Sequence, residues 1–234
     1  MTSTIDPGTQ LGQLVRENPE FASVFESLGI DYCCGGDAPL ERACDENDLE
    51  VQSVVEQLEK AQSSDGTKTD YESLSALVDD IIDTHHDYLR SELPSLERVV
   101  RKVARVHGDT HPELQEIETE FLGLKEDVTD HISDEEENVL PEIVKLDQDA
   151  SLMEVDTPEI REAIDHLESE HEAAASHLEQ IRALSDDYAI PDDACMSYRN
   201  MLDRLKMLEE DMHPHVHKEN NVLFPEAEEQ LAAT

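Results

Sequence analysis

His131-Ile-Ser-Asp-Glu135-Glu-Glu-Asn-Val-Leu-Pro141-Glu142 lines up without a gap on His215-Val-His-Lys-Glu219-Asn-Asn-Val-Leu-Phe-Pro225-Glu226. His, Glu, Pro and Glu match at offsets zero, four, ten and eleven. A spacing of four puts each His and its Glu on one face of a helix. Stepping back from His131 by threes and fours meets Val128, Leu124, Phe121, Ile117 and Leu114; stepping back from His215 meets Met212, Leu208, Leu205, Met201 and Tyr198. Both motifs therefore interrupt an apolar helical seam. Two further seams have the same character: Ile82, His86, Leu89, Leu93, Leu96, Val100, Val103, and Ile160, Ile164, Leu167, His171, Ala174, Leu178, Ile181.

The four seams occupy helical segments at about 71–106, 112–145, 158–184 and 192–229, separated by HGDTHP, LDQDASLMEVDTP and SDDYAIPDD. Loops of this length between long amphipathic helices predict an all-α, up-down-up-down four-helix bundle, with Val222 continuing the fourth seam past Glu219. The polar segment AQSSDGTKTD, 61–70, reads as a linker. The expected organisation is a small helical domain at 1–62, a linker at 63–70 and the bundle at 71–234. Within the first domain, apolar spacing predicts helices around Leu11–Leu14–Val15, Phe21–Phe25–Leu28 and Val51–Val55–Leu58; DYCCGG, 31–36, is a turn.

A buried carboxylate costs several kcal/mol unless positive charge meets it, and no Lys or Arg occupies a seam. In an up-down bundle the second and fourth helices run parallel, so their His-x-x-x-Glu pairs face in the same direction. Counting from the loop centres brings His86, His131 and His171 to one level within about 3 Å, whereas the last loop leaves His171 and His215 about 12 Å out of step, a gap an asymmetric loop would absorb. Four His and two Glu at one level, two His per ion with the carboxylates shared, suit a pair of iron ions; no thiolate joins the set, which speaks against zinc. His85 competes with His86 for the first place. Glu168-x-x-His171 has ferritin-type spacing but occurs once. His166 and His177 lie one residue off the third seam, His107 ends the first helix, and His111, His213 and His217 read as solvated. Cys33 and Cys34 read as two thiols on a turn, able to hold or pass iron or do redox chemistry; Cys44 and Cys195 read as packing residues.

Across 234 residues, 58 Asp and Glu stand against 17 Lys and Arg, a net charge of −41. That field excludes nucleic acid and anionic membrane as partners. No apolar run approaches the ~18 residues of a membrane span, and the first ten residues lack the basic-then-apolar pattern of a secretory signal. Seven Lys against ten Arg, within so acidic a shell, fit a salt-adapted cytoplasmic protein. Four Cys, two of them adjacent, suggest reduced thiols.

DYCCGG followed by HHDYLRSELP, HISDEEENVLP, ESEHEAA and HVHKENNVLFP resembles the RIC family of di-iron proteins, over nearly the whole chain. The resemblance implies a hemerythrin-like bundle with a Cys-Cys domain before it. It implies metal ligation by His86, His131, Glu135, His171, His215 and Glu219, and a role in iron transfer for Cys33 and Cys34. It also implies repair of iron–sulfur clusters damaged by nitric oxide or oxidants, by iron donation rather than by a defined catalytic turnover. Iron–sulfur proteins are then the acceptors, and a homodimer is compatible. Leu140-Pro141 departs from the family's usual Leu-Phe-Pro. Three rivals use the same bundle: an oxygen carrier, an enzyme reducing nitric oxide or peroxide, and an iron-sensing module. Oxygen-carrying hemerythrins have a further His four residues after the third-helix His, where this chain has Ala175.

Overall fold

A computed structural model describes residues 5–62, 71–147 and 157–232. The expected linker at 63–70, and most of the connection between the second and third long helices, lie outside the described residues. The N-terminal region holds α1 (Leu11–Glu17), α2 (Phe21–Leu28), α3 (Leu40–Glu46) and α4 (Val51–Gln62). Three match the sequence expectation, and α3 is additional. It starts after Pro39 and buries Leu40, Ala43 and Cys44, a single i, i+3, i+4 stripe too short to stand out in an acidic stretch. Gly29 ends α2 in the left-handed conformation (φ 68°), where its N–H closes back on the last turn. Phe21, Phe25, Leu40 and Leu58 centre a core that belongs to this region alone.

The bundle has four rods. The first is α5 (Leu74–Ile81), a π-turn (Ile82–His86) and α6 (Asp87–His107). The second is α7 (Glu113–Asp134), a π-turn (Glu135–Val139) and α8 (Leu140–Asp147). The third is α9 (Thr157–Leu184), and the fourth is α10 (Met196–Lys218), a π-turn (Glu219–Leu223) and α11 (Phe224–Ala232). α6 packs on α7 and α10, and both of these pack on α9, closing the ring. Among the described residues there is no strand, only an isolated bridge between Gln10 and Pro39. None of the described helices is long and apolar enough to cross a membrane.

The π-turns decide how the rods are phased. Each closes on an i→i+5 bond: Asp87 N–H to Ile82 O, Leu140 N–H to Glu135 O, Phe224 N–H to Glu219 O. One extra residue in the turn resets the face that follows or precedes it. The first seam therefore continues to Ile81, fully buried, and not to the partly buried Ile82; the fourth continues to Leu223, fully buried, and not to Val222. Both corrections have this one cause. In the second and fourth rods the turn also opens the ladder just before Pro141 and Pro225, whose rings would crowd a carbonyl four residues back in a regular helix.

The α9–α10 connection spans residues 185–195. Asp186, Asp187 and Tyr188 are successive left-handed residues (φ 52°, 56° and 58°). Two apolar clusters fill the bundle. One contains Leu89, Phe121, Leu178 and Leu205, the other Ile81, Ile143, Leu167 and Phe224. Along every rod the expected site residues fall between the two.

Candidate metal centre

All six seam residues converge between those clusters. His86, Glu135, His215 and Glu219 are 0% exposed, His171 2% and His131 5%. They form two groups whose ligand atoms lie within 4.8 Å of one another: His86, Glu135, His215, Glu219, and His131, Glu135, His171, Glu219. Both carboxylates belong to both groups. His86 Nε2 faces His215 Nε2 at 3.1 Å, and His171 Nε2 faces His131 Nε2 at 2.8 Å.

The outer nitrogens explain why the inner ones face inward. His86 Nδ1 donates to Glu136 Oε1 at 2.8 Å, His131 Nδ1 to Glu170 Oε2 at 2.8 Å, and His171 Nδ1 to Asn220 Oδ1 at 2.7 Å. With the Nδ1 proton engaged outward, Nε2 is the nitrogen that faces the chamber, and once it is deprotonated it is the atom that would ligate a metal. His215 Nδ1 is buried without a partner. Glu136 is itself pinned by Arg90 Nη2 at 2.7 Å.

The two buried carboxylates lack fixed positive charge and draw protons onto the imidazoles beside them. Both Glu135 oxygens and Glu219 Oε2 are buried with no well-directed hydrogen bond. Burial pushes the His86 ring down, but the adjacent Glu135 and Glu219 carboxylates outweigh it and hold it up at about 10. His171 follows the same logic and is raised to about 9. Burial lowers His215. Glu219 is desolvated yet held well below the carboxylate range by His215, His171 and His86 around it. Two buried carboxylates, four convergent imidazole nitrogens and no Lys or Arg in either group make a donor set that fits a pair of cations; nitrogen and oxygen ligands of this mix suit iron.

His85 is buried beside the site but excluded from both groups. Its Nδ1 pairs with Asp211 Oδ1 at 3.0 Å, its Nε2 accepts from Lys218 Nζ at 2.9 Å, and its ring stacks on His215. His166 lies 3.4 Å from Glu170 on the surface, and His177 pairs with Glu120 and Asp127. His107 sits 3.1 Å from Cys195 Sγ. Three histidines expected in solvent are not there. His217 is buried and His213 half-buried because Tyr32 of the N-terminal region packs on both, and His111 is half-buried against Tyr198. Cys195, expected to pack, is exposed in the loop before α10, whereas Cys44 is buried as expected.

The N-terminal turn lies beside the chamber. Asp31 Oδ1 accepts the Cys33 and Cys34 amides at 3.0 Å each, and Asp31 Oδ2 accepts Gly35 N–H at 3.1 Å. Asp31, Cys33 and Cys34 form a third cluster of ligand-type atoms within 4.8 Å. The Cys33 thiol is pushed up by its hydrogen bond with Cys34, by burial and by the Asp31 charge. One cavity of about 220 Å³ has Cys33, Cys34, His171 and Ala175 in its wall. Glu168, the ferritin-spaced candidate, joins neither histidine group; it lines a smaller cavity beside the same thiols, and burial with Asp165 and Glu228 nearby raises its pKa. Sequence reading missed Glu136, Glu170 and Asn220. Each is the immediate neighbour of one seam residue and serves the imidazole of another rod, a relation no linear spacing reveals.

Comparison with known proteins agrees with this geometry. The family model described as the hemerythrin HHE cation binding domain matches residues 77–227, and ScdA_N, a domain of unknown function, matches residues 8–62. The chain is similar to the iron-sulfur cluster repair protein ScdA of Staphylococcus haemolyticus, 30% identical over 92% of this chain and 95% of the relative. It is similar to the iron-sulfur cluster repair protein YtfE of Escherichia coli O8, 33% identical over 93% of this chain and 95% of the relative, and to that of Dickeya chrysanthemi, 31% identical over the same shares. An all-α bundle with a buried His/Glu cation site, preceded by a Cys-Cys region and matched end to end in this way, belongs to the hemerythrin HHE cation-binding family, among the proteins named for iron–sulfur cluster repair.

Proposed function

We propose that this chain is a di-iron protein of the cytoplasm that repairs iron–sulfur clusters damaged by nitric oxide or oxidants, by donating iron. His86 and His215 would hold one ion, His131 and His171 the other, and Glu135 and Glu219 would serve both. When bound, iron supplies a redox-active pair of cations and the ferrous ion that a damaged cluster lacks. The chain's own residues do the rest. Glu136, Glu170 and Asn220 keep the Nδ1 protons of three imidazoles in place, so the Nε2 atoms stay available. The two apolar clusters keep water from the carboxylates. Asp31, Cys33 and Cys34 offer a softer ligand set beside the chamber, matched to the thiolates an iron–sulfur acceptor presents.

The observation that carries this reading is the shared cavity wall: thiols of the N-terminal turn and His171 of the chamber line one space. A storage-only protein has no use for thiols there. The same cavity favours a second reading, binding or turnover of nitric oxide or oxygen, because Ala175 leaves open a position beside His171. Ala175 also argues against an oxygen carrier, since a ligating imidazole is missing from that turn.

The test is recovery of a nitric-oxide-damaged iron–sulfur enzyme by iron-loaded protein. Wild type should carry about two irons per chain and restore activity; His131→Ala should lose iron and restore none; Cys33→Ser/Cys34→Ser should keep iron and restore slowly. Full recovery with iron-free His131→Ala removes the chamber from the function.

A further inference from the structure

Glu219, Asn220 and Asn221 are consecutive on the π-turn of the fourth rod, and each has a different task. Glu219 belongs to both groups of the chamber. Asn220 Oδ1 accepts from His171 Nδ1. Asn221 turns away from the chamber and reaches the N-terminal region, where its Nδ2 donates to Cys33 O at 2.9 Å and to Tyr32 O at 3.4 Å. The carbonyl it grips is that of the first thiol residue.

The slot that receives Asn221 is built from glycine. Gly12 N–H donates to Gly36 O at 2.9 Å, joining the start of α1 to the end of the thiol turn. A Cβ at Gly12 or at Gly36 would stand 2.0 Å from Asn221 Oδ1. Real Cβ atoms do not approach so closely, so both positions must lack one for the amide to enter. Asp31 already orders the turn from within through three amide bonds. Those bonds fix its shape and do not tie it to the bundle. Cys33, with Cys34 beside it, also packs on the apolar cluster of the bundle, and Tyr32 packs on His213 and His217. Those contacts are apolar and without direction, whereas Asn221 supplies a directed hydrogen bond to the turn itself.

We propose that Asn221 is a positioning residue that clasps the Cys33–Cys34 turn against the metal chamber. The inference rests on the proposed function in one respect, that the thiols accept iron from the chamber. The π-turn gives the clasp its reach: within three residues it sends Glu219 inward and Asn221 outward, then returns Leu223 and Phe224 to the core. Apolar packing of Cys33 is common to the wild type and the variants, so loss of this one hydrogen bond should shift the balance between held and released thiols about tenfold.

The experiment uses iron-loaded full-length protein with Asn221→Ala, Asn221→Asp and Gly36→Ala. Aspartate keeps the shape and loses the donor; alanine at position 36 evicts the amide. Three readouts separate the possibilities: iron per chain with its optical spectrum, iodoacetamide labelling of each cysteine by mass spectrometry, and repair of a nitric-oxide-damaged enzyme. The expectation is unchanged iron and spectrum, about tenfold faster labelling of Cys33 and Cys34, unchanged labelling of exposed Cys195, and repair slowed about tenfold. Gly36→Ala/Asn221→Ala should be no worse than Asn221→Ala alone, because the added methyl enters the space the amide left. Wild-type labelling of Cys33 and Cys34 in Asn221→Ala and Asn221→Asp overturns the clasp, as does loss of iron from either variant, or repair at the wild-type rate by freely labelled thiols. Labelling needs no acceptor, so a wild type that carries iron and repairs nothing defeats the proposed function and leaves the clasp to be judged on labelling.

Discussion

Asn220→Ala takes away the acceptor of His171 Nδ1, now 2.7 Å away, in a ring only 2% exposed. Two responses are open to the imidazole. It keeps the Nδ1 proton, buried and unpaired, at ~1–3 kcal/mol. Or it moves the proton to Nε2, which faces His131 Nε2 at 2.8 Å and is then no ligand. Either way the variant should bind ferrous iron about 10- to 100-fold more weakly, the usual worth of an outer acceptor, or about 1.4–2.7 kcal/mol. Asn220→Asp keeps an acceptor and adds negative charge, so its affinity should equal or exceed wild type. His215, whose Nδ1 has no partner, marks the behaviour of an unanchored ring in the same chamber. The assay is anaerobic competition for ferrous iron against a chelator, with Asn138→Ala as control; Asn138 sits on the π-turn after Glu135 but donates outward to Asp134. Iron retention by Asn220→Ala within twofold of wild type refutes the reasoning.

Acid should loosen the N-terminal region through Glu26. Burial raises its carboxyl, but the nearby His213 ring, 3.9 Å away, and the hydrogen bond donated by Tyr32 outweigh that and leave it below its ordinary value of 4.5. Its stabilisation is therefore present above about 4.5 and lost as pH falls through the folded value; protease susceptibility of residues 5–62 should rise there, and Glu26→Gln should flatten the profile. Phe121→Ala should cost ~3–5 kcal/mol by denaturant melt, since the ring is 0% exposed in the apolar cluster of α6, α7 and α10, while iron per chain is unchanged. Melting temperature should climb with KCl toward molar concentrations, because −41 charges repel and salt screens them; a flat or falling curve contradicts the salt-adapted reading.

Helix faces were legible because the apolar period is strong: Leu114, Ile117, Phe121, Leu124 and Val128 are all buried, as their spacing requires. The phase was not legible through Ile82–His86 or beyond Glu219, because periodicity assumes 3.6 residues per turn and a π-turn inserts one more. Pro141 and Pro225 were the available signal. A proline ten residues after a seam His, inside a helix that continues, implies an open ladder before it. α3 escaped because three apolar residues in seven do not establish a period.

The site divides along the same line between local and tertiary information. That its six inward residues meet at one place was legible because burial of His and Glu on an apolar stripe is costly, so their presence at one level of four seams implies that they share a site. Their outer partners were not, for a reason peculiar to this chain. With 58 acidic residues, Glu136 and Glu170 look like any other part of the solvated shell. So acidic a composition hides which carboxylates work. The two asparagines carried more information than the carboxylates. Amides are uncommon here, and Asn220-Asn221 directly follows a seam Glu, on the rod whose next histidines, His213 and His217, proved to be covered by Tyr32. A polar pair beside a buried seam Glu, on a face covered by another region, marks where two parts of the chain are joined. That junction is where the chamber and the thiols meet.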